Sequence, residues 1–259
     1  TTPATVMPAT VMPATVIPAT VSPVTVIIGA GSGIGRALCL AAAADGPVYA
    51  LAREPARLGF PESVRLLAVD ASDPAALFAA AAQVQAEVAR VHRLIVCTGV
   101  LDDDGVSPPL HPEKALRQLD RAPFLHAMAV NAFAPLAALN AFASCLRHTE
   151  GARVAVLSAM VGSIGDNQLG GWYSYRMSKA ALNMGVHNVA LEWGRQRHAP
   201  IVVALHPGTT LTPLSERHVG PERARPAADS AAAILALLNS LTPACNGQFL
   251  NWDGRPLPW

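Results

Sequence analysis

The feature that most constrains the fold is a glycine-rich segment between an apolar run and a helical pattern. Val24 to Ile28 is almost wholly apolar, and Gly29 to Gly35 follows it directly. Glycines let the backbone turn sharply and approach a ligand, and the amides at the start of the next helix favour a pyrophosphate. This order predicts a dinucleotide-binding βαβ unit, whereas a tight turn chosen only for packing is the alternative.

The rest of the chain repeats this alternation of short apolar runs and longer alanine- and leucine-rich stretches. The runs predict strands covered on both faces, namely Val24 to Ile28, Val48 to Leu51, Val64 to Val69, Leu94 to Cys97, Val154 to Leu157, Ile201 to Leu205 and Gln248 to Leu250. The stretches predict helices, namely Gly33 to Ala44, Pro74 to Val91, Phe124 to Arg147, Tyr173 to Arg195 and Ala227 to Asn239. Ser72 and Asp73 precede Pro74 as capping residues. The sequence therefore predicts one α/β domain, a Rossmann-type doubly wound parallel sheet of about seven strands with helices on both faces.

The composition argues against several classes of protein. The chain has 259 residues, of which 14% are charged, and a net charge of +1, so nucleic acid is not expected as a partner. Apolar runs such as Ala231 to Leu238 are far shorter than the roughly 20 residues that cross a bilayer, so no membrane is expected. The four cysteines and eight histidines lack the spacing of metal ligands, and Asp102 to Asp104 is interpreted as a solvated loop. We expect no metal and a cytoplasmic protein with reduced thiols.

Residues 1–23 differ from the rest of the sequence. Proline recurs every five residues from Pro3 to Pro23, which disfavours helix because backbone donors are lost regularly. The segment has neither the arginines of an import peptide nor the unbroken apolar core of a secretory signal. We expect a disordered or extended low-complexity tail in residues 1–23 and the folded domain in residues 24–259. An arm that packs on a partner subunit is the alternative.

Tyr175 and Lys179 form a candidate catalytic pair. They are four residues apart in a predicted helix and so share one face. An ammonium near a phenol favours the phenolate, which should lower the pKa of the tyrosine toward the range of a general acid or base. The chain has two lysines, Lys114 and Lys179, so a lysine at this position is not typical surface composition. The alternative is an amphipathic surface pair.

The end of the second predicted strand bears on the cofactor. A carboxylate there would bind the adenosine ribose hydroxyls of NAD, but Leu51 is followed by Ala52 and Arg53. The Arg53 guanidinium can pair with the 2′-phosphate of NADP, and Ser32 can add a donor. The sequence therefore favours NADP(H), with NAD(H) as the second choice. The alternative is that Arg53 is an ordinary solvated charge.

The motifs resemble the short-chain dehydrogenase/reductase family in order and spacing, over essentially Val24 to Trp259. The glycines have the family's Gly-x-x-x-Gly-x-Gly form, and Tyr175 to Lys179 matches its Tyr-x-x-x-Lys. Further matches are Asp70 after the third strand, Cys97 to Gly99 in place of the usual Asn-Ala-Gly, Asn131 within a helix, and His206 to Thr209 after the sixth strand. Residues Gly162 to Arg176 and Trp252 to Trp259 are similar to the sniffer-type carbonyl reductase and C-factor-like branch.

The resemblance implies reversible hydride transfer between a nicotinamide and a carbonyl or alcohol substrate. It implies that Tyr175 is the general acid/base, that Lys179 also binds the nicotinamide ribose, and that Asn131 helps to hold a water; an asparagine satisfied by its own backbone is the alternative. The candidate cofactor-binding residues are Gly29, Gly31, Ser32, Gly33, Ile34, Gly35, Arg53, Asp70, Ala71, Thr98, Gly99, Tyr175, Lys179, Pro207, Gly208 and Thr209. Relatives commonly form dimers or tetramers through the two longest helices, so a homodimer or homotetramer is expected.

The serine that should polarise the substrate carbonyl departs from the family pattern. The common position, three residues before Gly162, is Ala159. Ser158, at a strand end, and Ser163, in the loop before Tyr175, are both candidates, and Ser163 is slightly favoured. Because of this departure, an NADP(H)-binding regulatory or signalling protein with little or no turnover is the competing hypothesis. An apolar substrate pocket is predicted from Leu169, Trp172, Leu211 and Leu214.

Overall fold

A computed structural model describes residues 22–259, except Ser32, His148, Val219, Pro221 and Arg223. The predictions for residues 1–21 and for Ser32 therefore lie outside the described residues. In this part of the chain, seven strands form one parallel sheet in the order β3-β2-β1-β4-β5-β6-β7. They are β1 (Thr25–Ile28), β2 (Val48–Ala52), β3 (Val64–Ala68), β4 (Arg93–Val96), β5 (Arg153–Leu157), β6 (Ile201–His206) and β7 (Phe249–Asn251). The predicted doubly wound sheet is confirmed.

Helices cover both faces of the sheet. They are α1 (Gly33–Ala42), α2 (Pro74–Glu87), α3 (Arg121–Met128), α4 (Ala134–Leu146), α5 (Tyr173–Trp193) and α6 (Ala227–Ser240). Asp73 caps α2 as predicted, because its side chain accepts a hydrogen bond from the Ala75 amide at 2.9 Å. The helix predicted over Phe124 to Arg147 instead begins at Arg121 and contains a π-helical turn, Ala129–Phe133, between α3 and α4.

The strands are apolar because both of their faces are buried. Along β1, Val26 and Ile28 pack into one core cluster with α2, α4 and α5, whereas Ile27 packs into a second cluster with α1 and α6. Successive side chains of a strand point to opposite faces, so a continuous apolar run supplies both clusters. At the sheet edge, β3 buries Val64 and Leu67 and exposes the residues between them.

One helical stretch, Arg121–Leu146, is long and apolar enough to cross a membrane by length and composition alone. In the structure, 61% of its apolar window is buried, and α4 packs against α2 and α5. Core helices of soluble proteins pass the same test, so this stretch is weak evidence for a membrane span.

The strand order reverses direction at β1, which lies between β2 and β4. In doubly wound sheets, this reversal opens a crevice beyond the carboxyl ends of the strands, where ligands bind. This rule places the crevice beyond the carboxyl ends of β1 and β4, above Ile28 and Val96. The predicted site residues after β1, β2, β4, β5 and β6 are therefore on one edge of the sheet.

Candidate active site

The glycine loop after β1 contacts the loop after β4. Gly29 has a φ of +86°, and a Cβ at this position would lie 3.0 Å from backbone atoms of Cys97 and Thr98. A Cβ at Gly35 would clash with the carbonyl oxygen of Gly29. Packing alone therefore requires these two glycines. Packing does not explain Gly31, which is exposed and whose Cβ would have ordinary contact, at 3.7 Å, with Ala52.

Gly33 packs against a residue that the sequence patterns did not identify as part of the site. A Cβ at Gly33 would lie 2.8 Å from Cγ2 of Thr212, in the segment after β6. Gly208, also after β6, has a φ of +78°, and a Cβ there would lie 2.8 Å from the Trp252 ring. The segment that follows Pro207, Gly208 and Thr209 therefore reaches the glycine loop through Thr212. The signal for Thr212 was its closeness in sequence to that motif.

Arg53 and Asp70 lie at the ends of the neighbouring strands β2 and β3. The Asp70 carboxylate accepts hydrogen bonds from the Ser72 amide at 2.9 Å and the Ser72 hydroxyl at 2.7 Å. These bonds, and to a smaller extent the Arg53 charge, lower the pKa of Asp70. Arg53 is exposed, and within the described ranges it makes no hydrogen bond or ion pair. Its guanidinium is available to an anion.

Two buried polar atoms at the same sheet edge have no partner among the described residues. They are Oγ1 of Thr98, after β4, and Nδ1 of His206, at the end of β6. Burial lowers the pKa of His206 to about 4, which keeps its ring neutral. A buried polar atom without a partner is costly, so both atoms fit a site that a bound group would complete.

Tyr175 and Lys179 lie on one face of α5, as their spacing predicted. The Lys179 ammonium is 5.9 Å from the centroid of the Tyr175 ring and donates to the Leu157 carbonyl at 3.0 Å. Burial lowers the pKa of Lys179 to about 8 and raises that of Tyr175 to about 12. The expected lowering of the tyrosine pKa is therefore absent here, because burial disfavours the charged phenolate and raises the pKa instead.

Asn131 lies in the π-helical turn and is fully buried. Its Oδ1 accepts from the Val100 amide at 2.7 Å, and its Nδ2 donates to the Val100 carbonyl at 2.9 Å and to the Ser178 hydroxyl at 3.0 Å. The alternative of an asparagine satisfied by its own helix is therefore wrong. A Cβ on Gly99 would lie 3.4 Å from both Asn131 Oδ1 and Lys179 Nζ, so these three residues meet.

Both candidate serines are buried and hydrogen-bonded. The Ser158 hydroxyl donates to Asn183 Oδ1 at 2.6 Å. The Ser163 hydroxyl accepts from the Asp166 amide at 3.0 Å and donates to the Trp259 carbonyl at 3.3 Å. Neither hydroxyl bonds to Tyr175 in the part of the chain that the structure describes.

The predicted apolar pocket is only partly formed. Trp172 is half-buried, and its ring packs edge-on against Tyr175, with centroids 6.2 Å apart, and against His218, at 5.4 Å. Leu169 is 90% exposed and Leu211 42% exposed, so they do not line a closed cavity.

The acidic triplet is not merely a solvated loop. Asp102 is bonded to His218 and to His111, and Asp103 is 2.9 Å from His126. Asp104 pairs with Arg217 at 3.2 Å. These contacts join the loop after β4 to the segment after β6, beside Trp172. The sequence signal, three adjacent carboxylates, does not indicate which basic residues the fold brings to them.

Curated proteins with similar sequences include one named C-signal and a dehydrogenase. C-signal of Myxococcus xanthus is 35% identical over 168 residues, which cover 63% of this chain and 96% of that protein. The 1-hydroxy-2-glutathionyl-2-methyl-3-butene dehydrogenase of Rhodococcus sp. (strain AD45) is 36% identical over 130 residues, covering 50% of this chain. The match spans 56% of that dehydrogenase's own length.

Solved structures support the fold. The carbonyl reductase Sniffer of D. melanogaster superposes with a TM-score of 0.78 at 20% identity, over 92% of this chain and 99% of that one. NADPH-bound carbonyl reductase from chicken fatty liver gives a TM-score of 0.77 at 25% identity, with the same coverage of 92% and 99%. The sequence profile of the short chain dehydrogenase family matches residues 23–222. By this match, the chain belongs to the short-chain dehydrogenase family.

Proposed function

We propose that this member of an oxidoreductase family catalyses reversible NADP(H)-dependent hydride transfer to a small carbonyl substrate or from the corresponding alcohol. The observation that carries the proposal is the meeting of Gly99, Asn131 and Lys179 at the crevice, with Tyr175 on the same face of α5. The NADPH-bound chicken carbonyl reductase, similar in fold, supports the choice of cofactor.

The residues at the crevice fit a dinucleotide. The exposed Gly31 leaves the glycine loop open to a pyrophosphate, and the free guanidinium of Arg53 can accept a 2′-phosphate. The unpartnered Oγ1 of Thr98 and Nδ1 of His206 offer hydrogen bonds to a bound group. We place Ile34, Ala71, Pro207 and Thr209 beside the cofactor on the family resemblance alone. When bound, NADPH supplies the hydride.

Side chains of this chain provide the proton for the substrate oxygen and hold the groups around it in position. Tyr175, whose raised pKa keeps its hydroxyl protonated near neutrality, donates that proton to the substrate oxygen as negative charge develops there. The Lys179 ammonium, held by the Leu157 carbonyl, stabilises the phenolate that this transfer leaves. Asn131 bridges Val100 and Ser178 and so fixes the π-helical turn against the loop after β4. The family resemblance is what supports its part in returning a proton to Tyr175.

The carbonyl-polarising donor is proposed to be Ser163, with Ser158 beside it. Ser163 has the weaker of the two hydrogen bonds that these hydroxyls donate, at 3.3 Å against 2.6 Å for Ser158. The Ser163 hydroxyl can therefore turn toward a substrate at lower cost. Gly162 sits against Lys179, since a Cβ there would be 2.8 Å from the Lys179 Cβ, so this turn lies directly on α5.

The test is NADPH oxidation with a panel of aldehydes, ketones and quinones, followed by absorbance. Tyr175→Phe should reduce turnover by about 10³-fold, the range expected for a lost general acid, while the Kd for NADPH stays nearly constant. Undiminished turnover in Tyr175→Phe would rule out the mechanism.

A regulatory protein of the same fold is the second candidate. It is favoured by Ala159 at the family's serine position, by the structural hydrogen bonds of Ser158 and Ser163, and by the similarity to C-signal. NADPH binding without turnover of any panel member would favour this candidate.

We further propose that the chain forms a homodimer or homotetramer. Met177, Met184 and Leu191 are exposed and recur every seven residues, which places them on one face of α5. A second copy of the chain is the occupant that the family resemblance implies. Light scattering at several protein concentrations tests this, and Met184→Glu should shift the protein toward the monomer.

A further inference from the structure

The first turn of α5 is capped by a residue far away in sequence. Helix starts leave backbone amides without partners, and these are usually satisfied by the side chain of the residue just before the helix. Here that residue is Trp172, which provides no such bond. The carboxylate of Glu113 instead accepts from the Ser174 amide, at 3.1 Å for Oε2, and from the Ser174 hydroxyl, across 61 residues of sequence.

Glu113 also fixes the chain just before the helix. Its backbone carbonyl accepts from the Trp172 amide at 2.5 Å. Three consecutive residues there, Gly170, Gly171 and Trp172, have positive φ values of 63°, 64° and 50°. Among the described residues, Trp172 is the only non-glycine with a positive φ. Such a conformation is unfavourable for a bulky side chain and persists where the surroundings impose it.

Glu113 is well placed to impose this backbone conformation on residues 170–172. Glu113 is 5% exposed and Ser174 is fully buried, so water does not replace their hydrogen bonds easily. Glu113 belongs to the segment between β4 and α3, downstream of Val100, which Asn131 binds. The same segment therefore contacts both helical elements that bear proposed catalytic groups.

We propose that Glu113 is a positioning residue for the proposed reaction: it fixes the first turn of α5, and with it Trp172 and Tyr175 relative to the crevice. Trp172 then holds its ring edge-on to Tyr175 and forms a wall of the substrate site. Glu113 itself touches no reacting atom. This inference rests on the proposed function, but its structural part can be measured without turnover.

Three variants distinguish a role of Glu113 in positioning α5 from a role of its negative charge. Glu113→Ala removes every side-chain contact, whereas Glu113→Gln keeps the shape, an acceptor for the Ser174 amide and a donor for the Ser174 oxygen. Ser174→Ala removes the hydroxyl contact alone and serves if Glu113→Ala fails to fold. Glu192→Ala is the matched control, since Glu192 is an exposed carboxylate at the other end of the same helix.

We expect Glu113→Ala to lower kcat by about 10- to 100-fold and to raise KM for the carbonyl, as when a reacting group is misplaced by about an ångström. The Kd for NADPH should stay within about twofold. Hydrogen exchange of the amides of residues 173–176 should become about tenfold faster, because a buried amide loses its partner. Glu113→Gln should restore most of kcat and slow exchange, Ser174→Ala should lie between the two, and Glu192→Ala should match the wild type.

Two results would overturn the proposal: exchange and kcat in Glu113→Ala that both match the wild type, or a Glu113→Gln variant as inactive as Glu113→Ala although its exchange is slow. The second result would mean that charge, not position, matters. If the wild type reduces no substrate, the proposed function fails, and the exchange data alone decide whether Glu113 fixes the start of α5.

Discussion

The two sides of the crevice are built differently. On the cofactor side, the loops after β1 and β4 meet through backbone atoms at Gly29, and local motifs specify the geometry. On the substrate side, Ser163 is bonded to Trp259, and Trp172 is held by Glu113 and His218, all distant in sequence. Trp172 in turn packs against Tyr175. A short sequence motif can therefore specify the cofactor side, whereas the geometry of the substrate side depends on the completed fold.

The largest effect should come from breaking the cofactor side at its tightest point. Gly29→Ala combines a positive φ with contacts of 3.0 Å to backbone atoms that cannot move aside. We expect a loss of about 3 kcal/mol in the free energy of unfolding, together with weakened NADPH binding. The matched control is Gly59→Ala, which has a φ of +59° but no atom within 4 Å. It should lose about 1 kcal/mol in denaturant titrations, and equal losses would contradict the prediction.

The substrate side is tested by its two serines. If Ser163 polarises the carbonyl, Ser163→Ala should lower kcat by about 10²-fold, and Ser158→Ala should lower it much less. Steady-state kinetics and thermal melts of each variant separate a lost donor from a lost structural hydrogen bond. Turnover that survives both substitutions would show that neither hydroxyl polarises the substrate carbonyl.

In that event, Ala159→Ser becomes informative. It restores the hydroxyl at the family's common position, at the start of the turn that packs on α5. Higher kcat in this variant would show that the substrate side lacks its usual donor. Unchanged kcat would assign the polarising role to another group.

A smaller effect is expected on the cofactor side, in its selectivity for NADPH over NADH. Arg53→Ala should raise the Kd for NADPH by about tenfold, because a charge-assisted hydrogen bond to the 2′-phosphate is lost, and leave the Kd for NADH nearly unchanged. Arg57→Ala is the control, since Arg57 is exposed nearby but paired with Glu54 at 2.6 Å. Fluorescence titration with both nucleotides provides the measurement, and equal effects of Arg53→Ala on them would disprove the assignment.

The smallest effect is a pH dependence that belongs to the substrate side. Because burial lowers the pKa of Lys179 to about 8, its ammonium is present below that pH and is lost above it, whereas Tyr175 keeps its proton until about 12. Reduction should therefore slow as pH rises through 8, by about fourfold at pH 8.5. Lys179→Arg should remove this dependence, since arginine stays charged. A wild-type rate that is flat to pH 10 would contradict the assignment.

Sequence patterns predicted most of the fold and part of the site. Apolar runs identified the strands because both sheet faces are buried, and the Asp73–Pro74 pair located the start of α2. The predicted single helix over Phe124 to Arg147 missed its π-helical turn, since the Asn131 contacts with Val100 and Ser178 lie outside the local pattern. The roles of Glu113 and His218 could not be predicted, because each is defined by a partner more than sixty residues away.

The contacts of Asp102 with His218 and of Asp104 with Arg217 bear on how the substrate side of the crevice is exposed to solvent. The contact between Asp104 and Arg217 is an ion pair at the surface, with both side chains about 60% exposed, and dissolved salt screens such pairs. The segment after β6 is thus held to the loop after β4 partly by an ion pair that ionic strength weakens. We therefore expect higher salt to loosen this segment beside Trp172, which packs on Tyr175, without altering the groups proposed to perform the chemistry.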